Sequence, residues 1–334
     1  MKPLWSKNLP SIILSGSISP DENYWAVGTI TGQLSLYSKT NPDSSCDFFN
    51  CTGSVRAICF NSTSNNFSSG DKSGNLFVTD IDSEKVVYSR KGAHKESIEC
   101  IKYIDSNVIA AGDTGGSVKL WDIREDKVIN TFKYENNYIA DLDVVNGTHL
   151  VICNAEGVVS VVKLSNGKRY QYYQQEDDDF TSMSICYGGQ YPKIVVASSK
   201  PRIYVVKFPD LDFICEASAN TDSQVVMVNQ IKSRPERIVT AQEDGSVSIL
   251  DINPNRAIYA YRAHDKKAML YGAYNVNSKL LTWASDNSVK LWDIEEISNM
   301  EYVKPAKRRT KNQKKKRKTV KVEEEKDDFF SSLM

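Results

Sequence analysis

The 334-residue sequence holds no uninterrupted run approaching the ~18 apolar residues a membrane-spanning helix needs. Its start, MKPLWSKNLP, lacks the apolar core of a secretory signal. The expectation is a soluble, intracellular chain that makes no contact with a membrane. Cysteine occurs seven times but never as Cys-x-x-Cys, so no zinc or redox pair is spelled out. Cys59, Cys100, Cys153 and Cys186 fall in apolar runs and read as buried, reduced thiols. There is no Gly-x-x-x-x-Gly-Lys-Ser/Thr loop, no His-Glu-x-x-His and no Gly-x-Ser-x-Gly. These gaps predict a protein that is not an enzyme and that carries no catalytic residue, cofactor or metal. The acidic run 176–179 lacks the spaced carboxylates of a calcium loop and reads as a solvated connection.

Charge of neither sign dominates the whole chain, because 42 basic and 42 acidic side chains cancel. They do not cancel locally. Residues 304–321 carry eleven Lys and Arg with no acid, and residues 322–334 carry five acids and one Lys. Removing these leaves 30 bases against 37 acids in residues 1–303, a net charge of −7. The body is mildly acidic, so attraction to nucleic acid is expected from the tail.

What the sequence has in quantity is repetition. Turns centred on Gly32, Gly74, Gly116, Gly157, Pro201, Gly245 and Asn287 recur at spacings of 42, 42, 41, 44, 44 and 42 residues. Around each, an apolar run leads into a polar turn and a second run follows, as in VIAAGDTGGSVKLWDI (108–123) and LLTWASDNSVKLWDI (280–294). A further apolar run precedes each hairpin (12–18, 55–60, 98–103, 139–144, 180–186, 225–231, 269–274). An outer run follows most of them, as at 86–89, 128–132 and 257–261. Four strands per unit is the blade of a β-propeller. The expected fold is all-β: a seven-bladed propeller over 1–297 and a disordered tail over 298–334. The seventh unit lacks an outer strand of its own, which residues 2–6 (KPLWS) are expected to supply, burying Trp5 and leaving no open edge.

Spacing, turns and Trp-Asp endings resemble the WD40 family over roughly residues 1–297. In that family each blade is stapled by a His ahead of the inner strand, a hydroxyl on the second strand, an Asp in the next turn and the Trp of the third. The resemblance implies those roles for His264, Thr282, Asp286 and Trp292 in the seventh unit. The third unit keeps His94 and Trp121 but has Ala111 and Gly115 where the hydroxyl and carboxylate would stand, so its staple is expected to be incomplete. His, Thr and Asp also suggest nucleophilic catalysis, but their spacing from Trp292 fits a blade lock. His149, in NGTH, reads as a solvated turn residue. Trp121, Asp122 and Arg124 in WDIR resemble the submotif by which some WD40 proteins dock on the adaptor of cullin-4 ubiquitin ligases. The other Trp-Asp site has Glu295 in place of the Arg.

The segment 304–321 is too charged and too poor in apolar residues to fold. Its clusters Lys307, Arg308, Arg309 and Lys314, Lys315, Lys316, Arg317, Lys318 read as a two-part nuclear or nucleolar signal, which can also hold RNA through phosphates without reading sequence. Phe329 and Phe330, in an acidic end, read as anchors of a short docking peptide. Longer stretches resemble a nucleolar subgroup of WD40 proteins: LSGSISPDENYWAVGTITGQLSLY (14–37), AHKESIECIKYIDSNVIAAGDTGGSVKLWDIR (93–124), QQEDDDFTSM (174–183) and INPNRAIYAY (252–261). That resemblance implies a monomeric interaction scaffold in ribosomal RNA production and large-subunit assembly, with pre-ribosomal assembly factors as partners.

Overall fold

The computed structural model describes residues 2–295 apart from 135, 136, 176, 177, 219–221, 253, 254, 266 and 267. These form seven four-stranded antiparallel sheets, the blades of a propeller. The strand β1 (Trp5–Asn8) opens the chain and belongs to the last blade. Blade one holds β2 (Ile13–Ile18), β3 (Tyr24–Thr29), β4 (Leu34–Ser38) and β5 (Ser45–Phe48). Blade two holds β6 (Val55–Phe60), β7 (Asn66–Asp71), β8 (Leu76–Asp80) and β9 (Lys85–Arg90). Blade three holds β10 (Ile98–Tyr103), β11 (Val108–Asp113), β12 (Ser117–Asp122) and β13 (Lys127–Lys133). Blade four holds β14 (Ile139–Val145), β15 (His149–Asn154), β16 (Val158–Lys163) and β17 (Lys168–Gln174). Blade five holds β18 (Phe180–Cys186), β19 (Lys193–Ser198), β20 (Arg202–Lys207) and β21 (Phe213–Ser218). Blade six holds β22 (Val225–Gln230), β23 (Arg237–Gln242), β24 (Ser246–Ile252) and β25 (Asn255–Arg262). Blade seven holds β26 (Leu270–Val276), β27 (Lys279–Ala284) and β28 (Ser288–Asp293), completed by β1.

Most second strands read as apolar runs, and all but the first residue of each are buried even in the polar β7 (NFSSGD), because both faces of each sheet are covered by neighbouring blades. In β11 and β27 every residue after the first is buried. The outermost strands alternate instead, as in β13, where only every second side chain is partly covered. Those outer strands present free edges, and β9, β13, β17, β21 and β25 each carry a register slip against their partner. A bulge twists an edge out of the geometry a foreign strand would need. Six of the seven turn anchors are held at positive φ, including Gly116 (φ 79) and, in blade seven, Asn287 (φ 57); Pro201 in blade five is the exception. At Gly116 a Cβ would collide with the Tyr134 carbonyl, so the blade-to-blade connection passes over the turn at backbone distance.

An N-terminal strand completes blade seven as expected, but over different bounds. The closing strand is not 2–6 but β1, with Trp5 opposite Leu291 and Asn8 opposite Ser288. Pro3 has no N–H to give the ladder, which starts at Leu4, whose N–H donates to the Leu291 carbonyl at 2.8 Å. Trp5 is half-buried rather than buried, because an outermost strand has cover on one side. Its ring stands 5.1 Å from Trp25 and 5.0 Å from Tyr37, tying the closing strand to blade one.

Candidate functional site

In blade seven the fold brings the four implied staple residues together. The Trp292 indole N–H donates to Thr282 Oγ1 at 2.9 Å, and that hydroxyl lies 2.9 Å from His264 Nε2. Because Nδ1 faces the Asp286 carboxylate, which can only accept, Nδ1 carries the N–H and Nε2 accepts the Thr282 proton. Nδ1 faces Asp286 Oδ2 at 3.3 Å and Ser288 Oγ at 2.9 Å, and Ser288 also donates to Asp286 at 2.6 Å. Ser288 is a member the sequence did not single out. Burial pushes His264 below the ordinary imidazole range, so the ring is held neutral.

Blade three departs from the reading that counted back from its Trp. No carboxylate is missing: Asp113, two residues before Gly115, bonds His94 Nδ1 at 2.7 Å. It also accepts the N–H groups of Gly115 and Ser117 at 3.1 and 2.7 Å, which fixes the turn. The hydroxyl is missing, however. With Ala111 in its place, His94 Nε2 and Trp121 Nε1 are both buried without a partner.

Asp113 belongs to a position that recurs around the ring, the residue pairing with the first residue of each inner strand. It is Thr29, Asp71, Asp113, Asn154, Ser198, Gln242 and Ala284 in blades one to seven. All seven are buried, and six are polar. Asp71 accepts the Ser73 and Asn75 N–H groups at 2.9 Å each, and Asn154 accepts that of Val158 at 2.9 Å. Only in blade seven is the position apolar, and there the carboxylate has moved two residues on, to Asp286. Matching Gly-Asp pairs at 70–71 and 112–113 were the signal available in the sequence.

Two further residues stand elsewhere than the sequence suggested. Asp178, within the supposedly solvated acidic run, is buried and accepts from Tyr204 OH at 2.7 Å and Ser198 Oγ at 2.9 Å, so it staples blade five. Glu176 and Asp177 lie outside the described residues. His149 is not in a turn but heads β15, its ring 5.4 Å from Phe208, because the turn ends one residue earlier at Thr148.

The innermost strands line a central channel, and their unpaired edges need partners. From blade four to blade seven, side chains of one blade supply them to the next. Asp141 accepts from Met183 N at 2.9 Å and Asp143 from Ile185 N at 3.1 Å. Ser184 Oγ accepts from Gln230 N at 3.1 Å, and Asn229 Nδ2 donates to the Asn275 carbonyl at 3.3 Å. Burial raises the Asp141 carboxyl. Lys102 Nζ lies 3.8 Å from Asp143 Oδ1; burial would lower its affinity for a proton, but the attraction of Asp143 leaves it above the ordinary lysine value. Lys102, Asp143, Asn229 and Tyr274 form a waist between two spaces. One, of about 210 Å³, opens past Arg56 and Glu99; the other, of about 480 Å³, opens past Tyr187 and Lys232 on the opposite face. Among the described residues no His, Cys, Asp and Glu cluster has the arrangement to hold a metal ion.

Of the WDIR residues, Trp121 and Asp122 are buried. The Arg124 side chain is 62% exposed and folds back on Asp122 with bonds of 3.0 and 2.7 Å, which takes that carboxyl down to about 2. The basic clusters at 307–309 and 314–318, with Phe329 and Phe330, lie outside the described residues.

Seven closed four-stranded blades define a seven-bladed β-propeller, and their staples resemble those of WD40 repeats. A family model described as "WD domain, G-beta repeat" matches residues 85–122, from β9 through β12. Across its length the chain is similar to proteins named WD repeat-containing protein 55. The Aedes aegypti homolog is 27% identical over 94% of this chain and 67% of its own length. The Drosophila ananassae homolog is 23% identical over 88% of the chain and 62% of its own length, and the Arabidopsis thaliana protein 24% over 83% and 79%. The chain thus spans about two thirds or less of the two insect relatives.

Proposed function

We propose that the protein is a non-enzymatic scaffold of the nucleolus that acts in ribosomal RNA production and large-subunit assembly. The observation that carries this reading is similarity to the WD repeat-containing protein 55 group across nearly the whole ring, not across one blade. The geometry supports it. Blades stapled by buried polar networks and closed by β1 hold the loops of both faces stiff, so a docking partner orders little on contact. The eleven bases of residues 304–321 suit import into the nucleus and retention among ribosomal RNA. Partners are then pre-ribosomal assembly factors, and the propeller acts as a monomer.

Affinity purification of the full chain, with and without nuclease, tests the assembly role. Large-subunit factors and precursor RNA are expected in the bound fraction, and their absence under both conditions would end the reading. Removal of residues 304–321 is expected to shift a tagged chain to the cytoplasm; unchanged nuclear accumulation would refute the import signal.

One observation favours a second reading, docking on the cullin-4 adaptor through WDIR: the Arg124 guanidinium is exposed and held in place by Asp122. The same purification decides it: the adaptor is recovered with the native chain and lost with Arg124→Ala, or this reading falls.

A further inference from the structure

The outer strands β9, β13, β17, β21 and β25 are kept from pairing with a foreign strand by their register slips. β1 has no slip but carries Lys7, a charge that guards an edge in another way. β5 has neither. Its sequence, SCDF, holds no Lys, Arg or Pro, and it pairs with β4 in unbroken register, from Ser45 opposite Tyr37 to Phe48 opposite Leu34. The groups it turns outward follow from the ladder behind it. Thr29 N–H donates to the Gln33 carbonyl at 2.9 Å and Lys39 N–H to that of Asn23 at 2.7 Å, so β4 bonds β3 through Ser35 and Tyr37 and turns Leu34 and Leu36 toward β5. Phe48 and Cys46 stand opposite those two. The N–H and C=O groups of Ser45 and Asp47 therefore face outward, where no described residue bonds them. Before them the Asp43 carbonyl is already taken by Lys7 Nζ at 2.9 Å, and after them stands Phe49, 72% exposed.

A cavity of about 640 Å³ runs along this edge, between β5 and the turn that joins β8 to β9. Leu36, Cys46 and Ile81, which pack in one apolar cluster, back it. Its charged residues are Asp82 and Glu84, both exposed on that turn, and no base lines it. Burial, and after it the Glu84 carboxylate beside the thiol, push Cys46 up to about 11. On the opposite side of β5 from Cys46 stands Asp47, also exposed. A row of outward N–H and C=O groups is matched by another extended polypeptide, and carboxylates on both sides of the row select one rich in Lys or Arg. A phosphate backbone has no such ladder to offer and is repelled by the same acids. A second copy pairing through its own β5 would set one acidic edge against another, and like charges across a strand pair are destabilising.

We propose that β5 is a docking edge, on which an extended basic segment of a partner protein adds as a fifth strand of blade one. Its cationic side chains reach Asp82 and Glu84 on the cavity side and Asp47 on the other. The site does not rest on the nucleolar reading, and a protein found elsewhere in the cell would leave the binding test below unaffected.

The test uses the full chain and a labelled, end-capped peptide of alternating Lys and Val, with a copy N-methylated at every residue, which keeps the charge but has no ladder donors. Binding is read by fluorescence anisotropy and by amide hydrogen exchange. The unmethylated peptide is expected to bind and to slow exchange at residues 45–49, and the methylated copy to bind roughly tenfold more weakly or worse, the loss of two or more ladder hydrogen bonds. Asp47→Pro removes an N–H that faces outward and leaves the β4–β5 ladder whole, so it is expected to abolish binding at an unchanged melting temperature. Glu84→Gln is expected to weaken binding roughly two- to fivefold, the loss of one exposed ion pair. Equal binding of the methylated copy would show charge attraction without strand pairing and overturn the proposal, a result that the native chain gives even if Asp47→Pro does not fold. Native-like binding by a folded Asp47→Pro, or slowed exchange only outside residues 45–49, would overturn it as well. A concentration-dependent dimer that Asp47→Pro abolishes would assign the edge to a second copy and overturn it equally.

Discussion

Thr282 lets Trp292 and His264 share one hydrogen-bond chain, because a hydroxyl can accept from the indole and donate to the imidazole at once. A methyl cannot. Thr282→Val leaves two nitrogens buried without partners, each at a cost of about 1–3 kcal/mol, so a loss of about 2–6 kcal/mol in unfolding free energy is expected. Blade three is the converse case. His94 Nε2 and Trp121 Nε1 already lack partners across Ala111, whose place in the strand matches that of Thr282. Ala111→Thr is therefore expected to stabilise the protein by about 1–2 kcal/mol, two recovered hydrogen bonds of ordinary net strength. Denaturant titration of both variants checks the pair; a destabilised Ala111→Thr would mean that the space beside the methyl does not admit the hydroxyl.

Among the elements, the seam between blades seven and one is built differently from the rest. The position facing the third residue of the inner strand is Gly28, Gly70, Gly112, Cys153, Ala197 and Ala241 in blades one to six, but Trp283 in blade seven. Gly272 opposite and Gly16 on the next blade make room for it: a Cβ on Gly16 would stand 2.8 Å from Trp283 Cζ3, and one on Gly272 would overlap the same indole. The indole fills the seam from the channel side while Trp5, Trp25 and Tyr37 fill it from the rim. Gly272→Ala is expected to cost about 1–3 kcal/mol through overpacking and to alter tryptophan emission. Matching cost and emission for Gly28→Ala, whose Cβ meets Val55 instead, would show that the indole is not what matters. The sequence made the strands legible through turn spacing, and the closing segment through a blade one strand short. It did not show Trp283 as a wedge, since a Trp in an apolar run carries no mark of the two glycines it meets, one of them 267 residues away in the chain. Asp113 was hidden for a related reason: distances counted from a Trp assume that the carboxylate keeps its place, whereas hydrogen bonds to the turn are satisfied equally well two residues earlier.

For the whole molecule, the closed ring makes proton uptake at separate blades one problem of stability. His94 and His264 are enclosed in blades three and seven, and burial lowers the proton affinity of both despite the carboxylates beside them. Their folded values lie below the ordinary ~6.5, so as pH falls through that value the unfolded chain takes up protons first and the folded state loses ground. The stability held by the neutral rings is complete above about pH 6.5 and diminishes below it; carboxylates held low, such as Asp113 and Asp286, add their own loss only at still lower pH. Opening one blade also uncovers the flanks of its two neighbours, so the loss should register as a single transition and not as blade-by-blade melting. A melting temperature level from pH 8 to 7 and falling steadily from 6.5 to 5 is the expected profile by calorimetry. Replacing His94 and His264 together by Gln should lower the plateau and make the slope shallower, because no imidazole remains at either staple to take the proton. A native profile flat down to pH 5 would mean that the two rings are protonated as readily inside the blades as outside them, and with it the account of both staples as neutral locks would fail.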